Sequence, residues 1–453
     1  MNVNCKSSNV LSLQKLVLIF IVFLFVKDIY AQENTVIPVS TEELQTLLDS
    51  ITVIVPQYYI SPEIGKQIAD RIQTKYNKGH YLGITNPRVL SDSLSADLRA
   101  INGDLHMSMN YRSPRERSSS NAPSIQINET GPWTNYGLSE LKVLDGNIGY
   151  LKIKHFTQHQ YLEAIKPVIA SAFETLKNTD ALIIDVRDNG GGFEEMVAHY
   201  ISYFFDSETP IHLSDYRCTL HNHIYGVSTD PNILGTKLPS IKLYVLTNAN
   251  TGSAAESFAY MLKHLGRATI IGEITAGAGN GASVHEINKR FSIQVSSEET
   301  INAITKTSFE KVGVIPHIQV SGTAIFPKAY TMALEHAKEK NAKNIHASNY
   351  EHLISFIVPT KNDDSIHLDS YKKYLGTYKG GTIHITISIE DNILYGQMKS
   401  KGGKMKLTLL ENHIFKVGDL KERIQFILDD NGNVIQLLGI DSPMKLNKIT
   451  KNP

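Results

Sequence analysis

Ser253 stands in the run Thr251-Gly252-Ser253-Ala254-Ala255-Glu256, between an apolar stretch, Leu243 to Leu246, and a helical pattern from Ala255. A serine at such a strand-to-helix turn is held at the rim of a sheet, and its small neighbours let a substrate backbone approach. The Ala254 N–H would point out of a helix N-terminus, where partial positive charge stabilises an oxyanion. The plainer alternative is a helix N-cap, a position that serine fills well. A second block, Asp185-Val186-Arg187-Asp188-Asn189-Gly190-Gly191-Gly192, follows the apolar run 181–186. Three glycines after a buried strand give a bend whose N–H groups can face a ligand. No Lys-Ser/Thr pair follows them, which argues against a nucleotide P-loop. Two further blocks, Gly272-Glu273-Ile274-Thr275-Ala276-Gly277-Ala278-Gly279-Asn280 and Phe309-Glu310-Lys311-Val312-Gly313-Val314-Ile315-Pro316-His317, complete the set.

The remaining reactive side chains have plainer readings. Asp185 and Arg187 suit a structural ion pair. His155 with His159, and His221 with His223, lie close in sequence but near no acidic or cysteine cluster, so no metal site is expected. Cys218 reads as an inert thiol, because the only other cysteine is Cys5, ahead of the N-terminal apolar run. Tyr58, Tyr59 and Tyr81 read as core residues. Lys+Arg and Asp+Glu both number 45, so nothing steers the chain toward nucleic acid.

In this order and spacing, the four blocks resemble the serine peptidase superfamily of C-terminal processing peptidases, the tricorn core and the interphotoreceptor retinoid-binding protein modules. The family pattern has an Asp-Leu-Arg-x-Asn-x-Gly-Gly block, a Ser-Ala-x-Glu block, a Gly-Glu-x-Thr-x-Gly block and a Glu-x-x-Gly-Val-x-Pro-Asp block. Val186 and His317 depart from it, at positions that carry no chemistry. The resemblance spans roughly residues 44 to 320 and implies an α/β, crotonase-like (ClpP/crotonase) core. The processing-peptidase branch uses a Ser-Lys dyad, but Ala278 occupies the lysine position here. Its usual PDZ domain does not fit between Ser113 and Leu141. The tricorn-like branch pairs the serine with a preceding histidine and a later glutamate. Asn102-Gly103-Asp104-Leu105-His106 is similar to its Gly-Asp-x-His block, and Glu310 lies in the matching later motif. The resemblance therefore implies Ser253 as nucleophile, His106 as general base and acid, and Glu310 as the carboxylate that orients the machinery or stabilises imidazolium charge. It also implies oxyanion donors among Gly190, Gly191 and Ala254. The implied activity is peptide-bond hydrolysis through an acyl-enzyme, on a peptide or protein substrate and without a cofactor. The retinoid-binding relatives imply an alternative, a non-catalytic module for hydrophobic ligands.

Several elements must position these residues. Residues 40–112 read as an N-terminal helical domain. Ser40 caps a helix with Leu44, Leu47, Leu48, Ile51 and Val55 on one face; Ser61-Pro62 opens a second, and Ser91 a third. Residues 113–124 read as an exposed connection. Alternating apolar strands and amphipathic helices over 130–340 predict the α/β core. A polar linker follows, then a small β-rich, lipocalin-like domain over 362–453, where Ile383, Ile385 and Ile387 alternate with polar residues. At the other end, Lys6 and Lys15 precede an apolar run from Leu16 to Val26, shorter than the roughly 20 residues of a spanning helix. Residues 1–31 therefore read as a signal peptide. The expectation is export to the periplasm or extracellular space, with no integral membrane segment after cleavage.

Overall fold

The computed structural model describes residues 36–113, 131–218, 223–342, 347–357 and 371–449, apart from 392, 400–402, 412, 419–421, 430 and 441–443. The expected signal peptide, nearly all of the 113–124 connection, His221 and the linker over 358–370 lie outside the described residues. The helices are α1 (Thr41–Tyr58), α2 (Pro62–Asn77), α3 (Pro87–Arg99), α4 (Leu162–Leu176), α5 (Glu194–Ser202), α6 (Ala254–His264), α7 (Ile325–Lys340) and α8 (Ala347–Ile357). The strands before the C-terminal domain are β1 (Ser108–Tyr111), β2 (Leu138–Leu144), β3 (Ile148–Ile153), β4 (Ala181–Asp185), β5 (His212–Cys218), β6 (His223–Ser228), β7 (Lys242–Thr247), β8 (Ala268–Gly272), β9 (Gly281–Glu286), β10 (Phe291–Asn302) and β11 (Ile318–Gln319). No described helix is long and apolar enough to cross a membrane.

The chain divides into two compact units. The first takes residues up to 127, 213–227 and 277–311. Ser40 accepts from the Glu43 N–H at 3.1 Å and starts α1. Helix α3 begins at Pro87, earlier than Ser91, because Asn86 caps it by accepting from the Arg88 and Val89 N–H groups at 3.0 and 3.4 Å. An asparagine cap followed by proline in the first turn outcompetes a serine, and Ser91 ends up buried inside the helix. The helical segment does not close a core by itself. Leu47, Leu48, Ile51, Ile68, Ile72, Leu90, Leu94 and Leu98 pack with Phe291, Ile293 and Val295 of β10. That strand pairs antiparallel with β1, β5 and β9. Amphipathic helices need an apolar partner surface, and here a strand nearly 200 residues away in the chain supplies it.

Asp97 ties α2 to α3. Its almost buried carboxylate accepts from Lys75 Nζ at 2.7 and 2.8 Å, from Arg71 at 3.3 Å and from the Tyr81 hydroxyl at 2.8 Å. Burial pushes its pKa up, but the hydrogen bonds from Lys75 and Tyr81 and the charges of Lys75 and Arg71 outweigh that and hold it below the usual range. Asp97→Ala leaves all three donors without this acceptor and is expected to cost about 2–4 kcal/mol in urea unfolding at pH 7. Because the carboxyl's pKa is depressed in the folded protein, its contribution is present above the unfolded value near 4 and fades as pH falls through the folded one. The difference between variant and wild type should therefore shrink at pH 3.

The second unit takes residues 128–212, 228–276 and 312–453. Its six-stranded sheet runs β11-β8-β7-β4-β3-β2, parallel except for the β2–β3 hairpin. Strand β4 is buried along its whole length, as a strand covered on both faces must be. On one face, Ala329, Ala333, Leu334 and Ala337 of α7 pack on Ile148, Tyr150, Ile183 and Tyr244. On the other, Leu176 of α4 and Leu182 of β4 both come close to Gly149. Phe173 stacks on Tyr203, and Phe156 meets Tyr200 of α5 and Phe258 of α6. Helix α8 lies where the sequence suggests only a polar linker.

The C-terminal strands, β12 (Gly376–Gly380), β13 (Ile383–Glu390), β14 (Ile393–Met398), β15 (Lys404–Glu411), β16 (Ile414–Val417), β17 (Arg423–Leu428), β18 (Val434–Gly439) and β19 (Lys445–Lys448), form a closed barrel. Barrels of this strand number either fill with side chains or hold one ligand. Here Tyr378, Phe415, Phe426, Leu437 and Leu446 cluster as a side-chain core, with Phe415 and Phe426 edge to face at 5.4 Å.

Candidate active site

Ser253 and Glu256 form a capping box at the start of α6, but on a backbone unlike that of an ordinary helix cap. Ser253 has φ 53° and ψ −125°, whereas a serine cap such as Ser40 is extended, with φ −80° and ψ 162°. A non-glycine residue held at such angles costs on the order of 1–3 kcal/mol and persists only where its surroundings over-determine it. The Ser253 N–H donates to Glu256 Oε2 at 2.9 Å. The other Glu256 oxygen accepts from the Thr275 hydroxyl, which itself accepts from the Val314 N–H at 2.6 Å. Upstream, the Thr251 hydroxyl donates to Val186 O at 2.9 Å, the Gly252 N–H to Asn189 O at 2.9 Å, and the Ala276 N–H to Thr251 O at 3.0 Å. Glu256 is fully buried. Residues from all four sequence blocks therefore clamp one turn. Glu256 and Thr275 are visible within those blocks, but their contact joins residues 19 apart and has no local signature.

The glycine loop lies against this turn. Gly191 has φ +112°, and a Cβ there would fall 2.6 Å from Ser253 Cβ and 3.0 Å from Ala254 N. Glycine satisfies both the backbone angle and the close approach. The Gly191 N–H donates to Asn189 Oδ1 at 2.8 Å. Asn189 is in turn fixed by donating to Ile153 O at 3.0 Å. Gly190 has nothing within 4 Å of where its Cβ would sit. Ala254 is the first residue of α6, where a helix leaves its N–H groups without internal acceptors. Behind the loop, Arg187 grips the fully buried Asp185 through Nε at 2.9 Å and a terminal nitrogen at 2.6 Å, and the Tyr150 hydroxyl donates to the same carboxylate at 2.8 Å. This is the ion pair expected from sequence.

In the other unit, His106 and Glu310 are connected through a group that sequence reasoning passed over. Asp104 is fully buried. One of its oxygens accepts from the His106 N–H at 3.1 Å and the Ser296 hydroxyl at 2.9 Å. The other accepts from the Tyr59 hydroxyl at 2.9 Å and Asn280 Nδ2 at 3.1 Å. Glu310 Oε2 accepts from the N–H groups of Gly279 and Asn280 at 2.7 and 3.2 Å, while its Oε1 is buried with no hydrogen-bond partner among the described residues. A Cβ on Gly279 would lie 2.6 Å from Glu310 N, so only glycine lets this loop close on the carboxylate. Burial lowers the His106 pKa below its ordinary value against the opposing charge of Asp104, which leaves a neutral ring able to accept a proton at pH 7. Burial, and then the Asp104 charge, push Glu310 up to about 7.

The raised Glu310 pKa has a consequence for stability. A carboxyl whose folded pKa is raised penalises folding once pH exceeds its unfolded value near 4.3, and the penalty is complete above about 7. Glu310→Gln is therefore expected to stabilise the protein at pH 8 by about 1–2 kcal/mol, discounted for the solvent that reaches the group, with little gain at pH 4. Unfolding curves at the two pH values check this.

Other residues fall outside the site. Cys218 is a free, half-buried thiol. His317, where the family pattern has aspartate, pairs with β8: its N–H donates to Ile270 O at 2.9 Å, and its Nδ1 accepts from the Ile270 N–H at 3.0 Å. No group of three His, Cys, Asp or Glu side chains among the described residues could hold a metal ion.

Residues 147–320 match peptidase family S41, and residues 30–136 match the N-terminal domain of Peptidase_S41 in eukaryotic IRBP. The chloroplastic carboxyl-terminal-processing peptidase 2 of Arabidopsis thaliana is 32% identical over 173 residues, 37% of this chain and 31% of the relative. The carboxyl-terminal-processing protease of Picosynechococcus sp. is 26% identical over 171 residues, 37% of this chain and 38% of the relative. The chain thus matches these relatives over only about a third of their own length. A solved lipoprotein from Streptococcus agalactiae aligns over 64% of this chain and 94% of its own, at 13% identity and a TM-score of 0.44.

Proposed function

The chain carries the peptidase family S41 domain and that family's N-terminal domain, and from this premise we propose that it is an exported serine peptidase with Ser253 as nucleophile on a crotonase-like core. His106 takes the Ser253 proton as Oγ attacks the scissile carbonyl carbon. The N–H groups of Ala254 and Gly190 receive the oxyanion that forms. When the tetrahedral intermediate collapses, the imidazolium returns its proton to the leaving amine. Water, activated by the same ring, then releases the acyl group from Ser253. Glu310 is the third member, and its charge state is set by burial and by Asp104. The substrate is a peptide or protein, and the enzyme acts in the periplasm or extracellular space after loss of residues 1–31.

The observation that carries this reading is the Ser253 backbone, at φ 53° with Gly191 pressed against it. A serine kept there only to cap a helix has no need of those angles, whereas a strained strand-to-helix turn presents a nucleophile. The test is a fluorophosphonate probe on the mature protein, followed by peptide mapping. Label on the Ser253 peptide, absent from Ser253→Ala and His106→Ala, is the expected result. Well-folded protein that takes no label would turn the assignment toward a non-catalytic, hydrophobic-ligand-binding member of the same fold.

A further inference from the structure

Asp104 is a heavily engaged buried carboxylate two residues from His106, and the peptidase chemistry gives it no part. A carboxylate with no exposure is costly unless its oxygens are satisfied, and each oxygen here has two donors. Those donors come from the end of α1, from β10, from the loop that binds Glu310, and from the His106 backbone itself. We propose that Asp104 is the positioning residue of the site, a buried anion that fixes the His106 backbone and joins it to the Glu310 loop. The inference rests on the serine-peptidase reading above.

The geometry favours positioning over plain core filling. The Asp104 side chain folds forward onto the His106 N–H two residues on, in the manner of an Asx-turn. On the far side of the histidine, Met107 O accepts from Arg99 Nε of α3 at 2.8 Å, and Met107 Sδ accepts from the Ser296 N–H at 3.4 Å. The backbone is therefore held both before and after His106, which restricts where its ring can stand. Asn280 then couples this hub to the carboxylate of Glu310, because its side chain donates to Asp104 while its N–H donates to Glu310. Named charges bear on both groups. Asp104 and Arg99 act on His106 in opposite senses, and Asp104 and Lys311 act on Glu310 in opposite senses, with the Tyr59 hydroxyl donating to Asp104.

The test uses Asp104→Asn, which keeps the shape and an acceptor oxygen but removes the charge, and Ser296→Ala, which keeps the charge and removes one anchor. Three readouts are taken on the full chain: thermal unfolding, the fluorophosphonate labelling rate per folded molecule, and the titration midpoint of the His106 ring by NMR. Asp104→Asn is expected to slow labelling about 10- to 100-fold. It should also move the His106 midpoint further down, because an anion that favours the imidazolium is gone. Ser296→Ala is expected to slow labelling a few-fold and leave the midpoint in place. A merely structural aspartate would change unfolding and leave the midpoint and the rate per folded molecule alone, and that result overturns the proposal. If Asp104→Asn does not fold, Ser296→Ala decides, and wild-type labelling in that variant overturns it. Wild-type protein that takes no label on Ser253 instead sinks the peptidase reading, while the NMR titration still reports on Asp104.

Discussion

His106→Ala is expected to lower peptide hydrolysis by roughly 10⁴-fold or more with the fold intact, and Ser253→Ala to do the same, because in the proposed mechanism nucleophile and base act as one unit. The double variant should be hardly worse than either single one, since removing one member already disables the other. Additive losses would mean that the two side chains work separately, and the proposed proton transfer would then be wrong. The measurement is single-turnover hydrolysis of a peptide substrate, with circular dichroism to establish folding. His106 is half-buried and its main-chain N–H is engaged by Asp104, so trimming its ring leaves the Asp104 hydrogen bonds in place. The loss should therefore appear in rate far more than in stability.

Gly191→Ala is the second large effect. The new methyl would sit 2.6 Å from Ser253 Cβ, on a backbone at φ +112° that an alanine adopts only under strain. Neither side can give way cheaply. Ser253 is held by Glu256, and the glycine loop by Asn189 and by Arg187 on Asp185. Displacing the nucleophile by even about 1 Å costs on the order of 100-fold in rate, so labelling of Ser253 should fall at least that far. Gly266→Ala is the control for backbone strain alone, because that glycine has φ +66° but open space where its Cβ would sit. It should retain most of the labelling per folded molecule. Undiminished labelling in Gly191→Ala would show that the loop does not bear on the serine, and an equal loss in both variants would point to general destabilisation.

Much of the local structure is legible in the sequence. Ser40 and Ser61-Pro62 announce α1 and α2 because caps and first-turn prolines act within one helical turn. The apolar run at 181–185 announces a buried strand, and the alternation at Ile383, Ile385 and Ile387 a half-buried one. Ser91 and Asn86-Pro87 both carry helix-start signals, and the stronger pair sets the start of α3. The barrel's closure is not legible, since alternation fixes which side chains face inward but not which strand pairs with the first.

The sequence by itself determined the candidates: a serine between small residues at a strand-to-helix turn, three glycines after a buried strand, and a histidine and a glutamate in blocks that resemble a family's. Only the tertiary structure decided which atoms bond to which. It gave the Gly191 N–H to Asn189, set Glu256 and Thr275 to hold the turn, and buried Asp104 among Tyr59, Asn280 and Ser296, residues 45, 176 and 192 positions away. Caps, periodicity and glycine bends act over a few residues and so leave a mark on the local sequence. A buried carboxylate is satisfied by whatever donors the fold brings to it, and that depends on packing between distant segments.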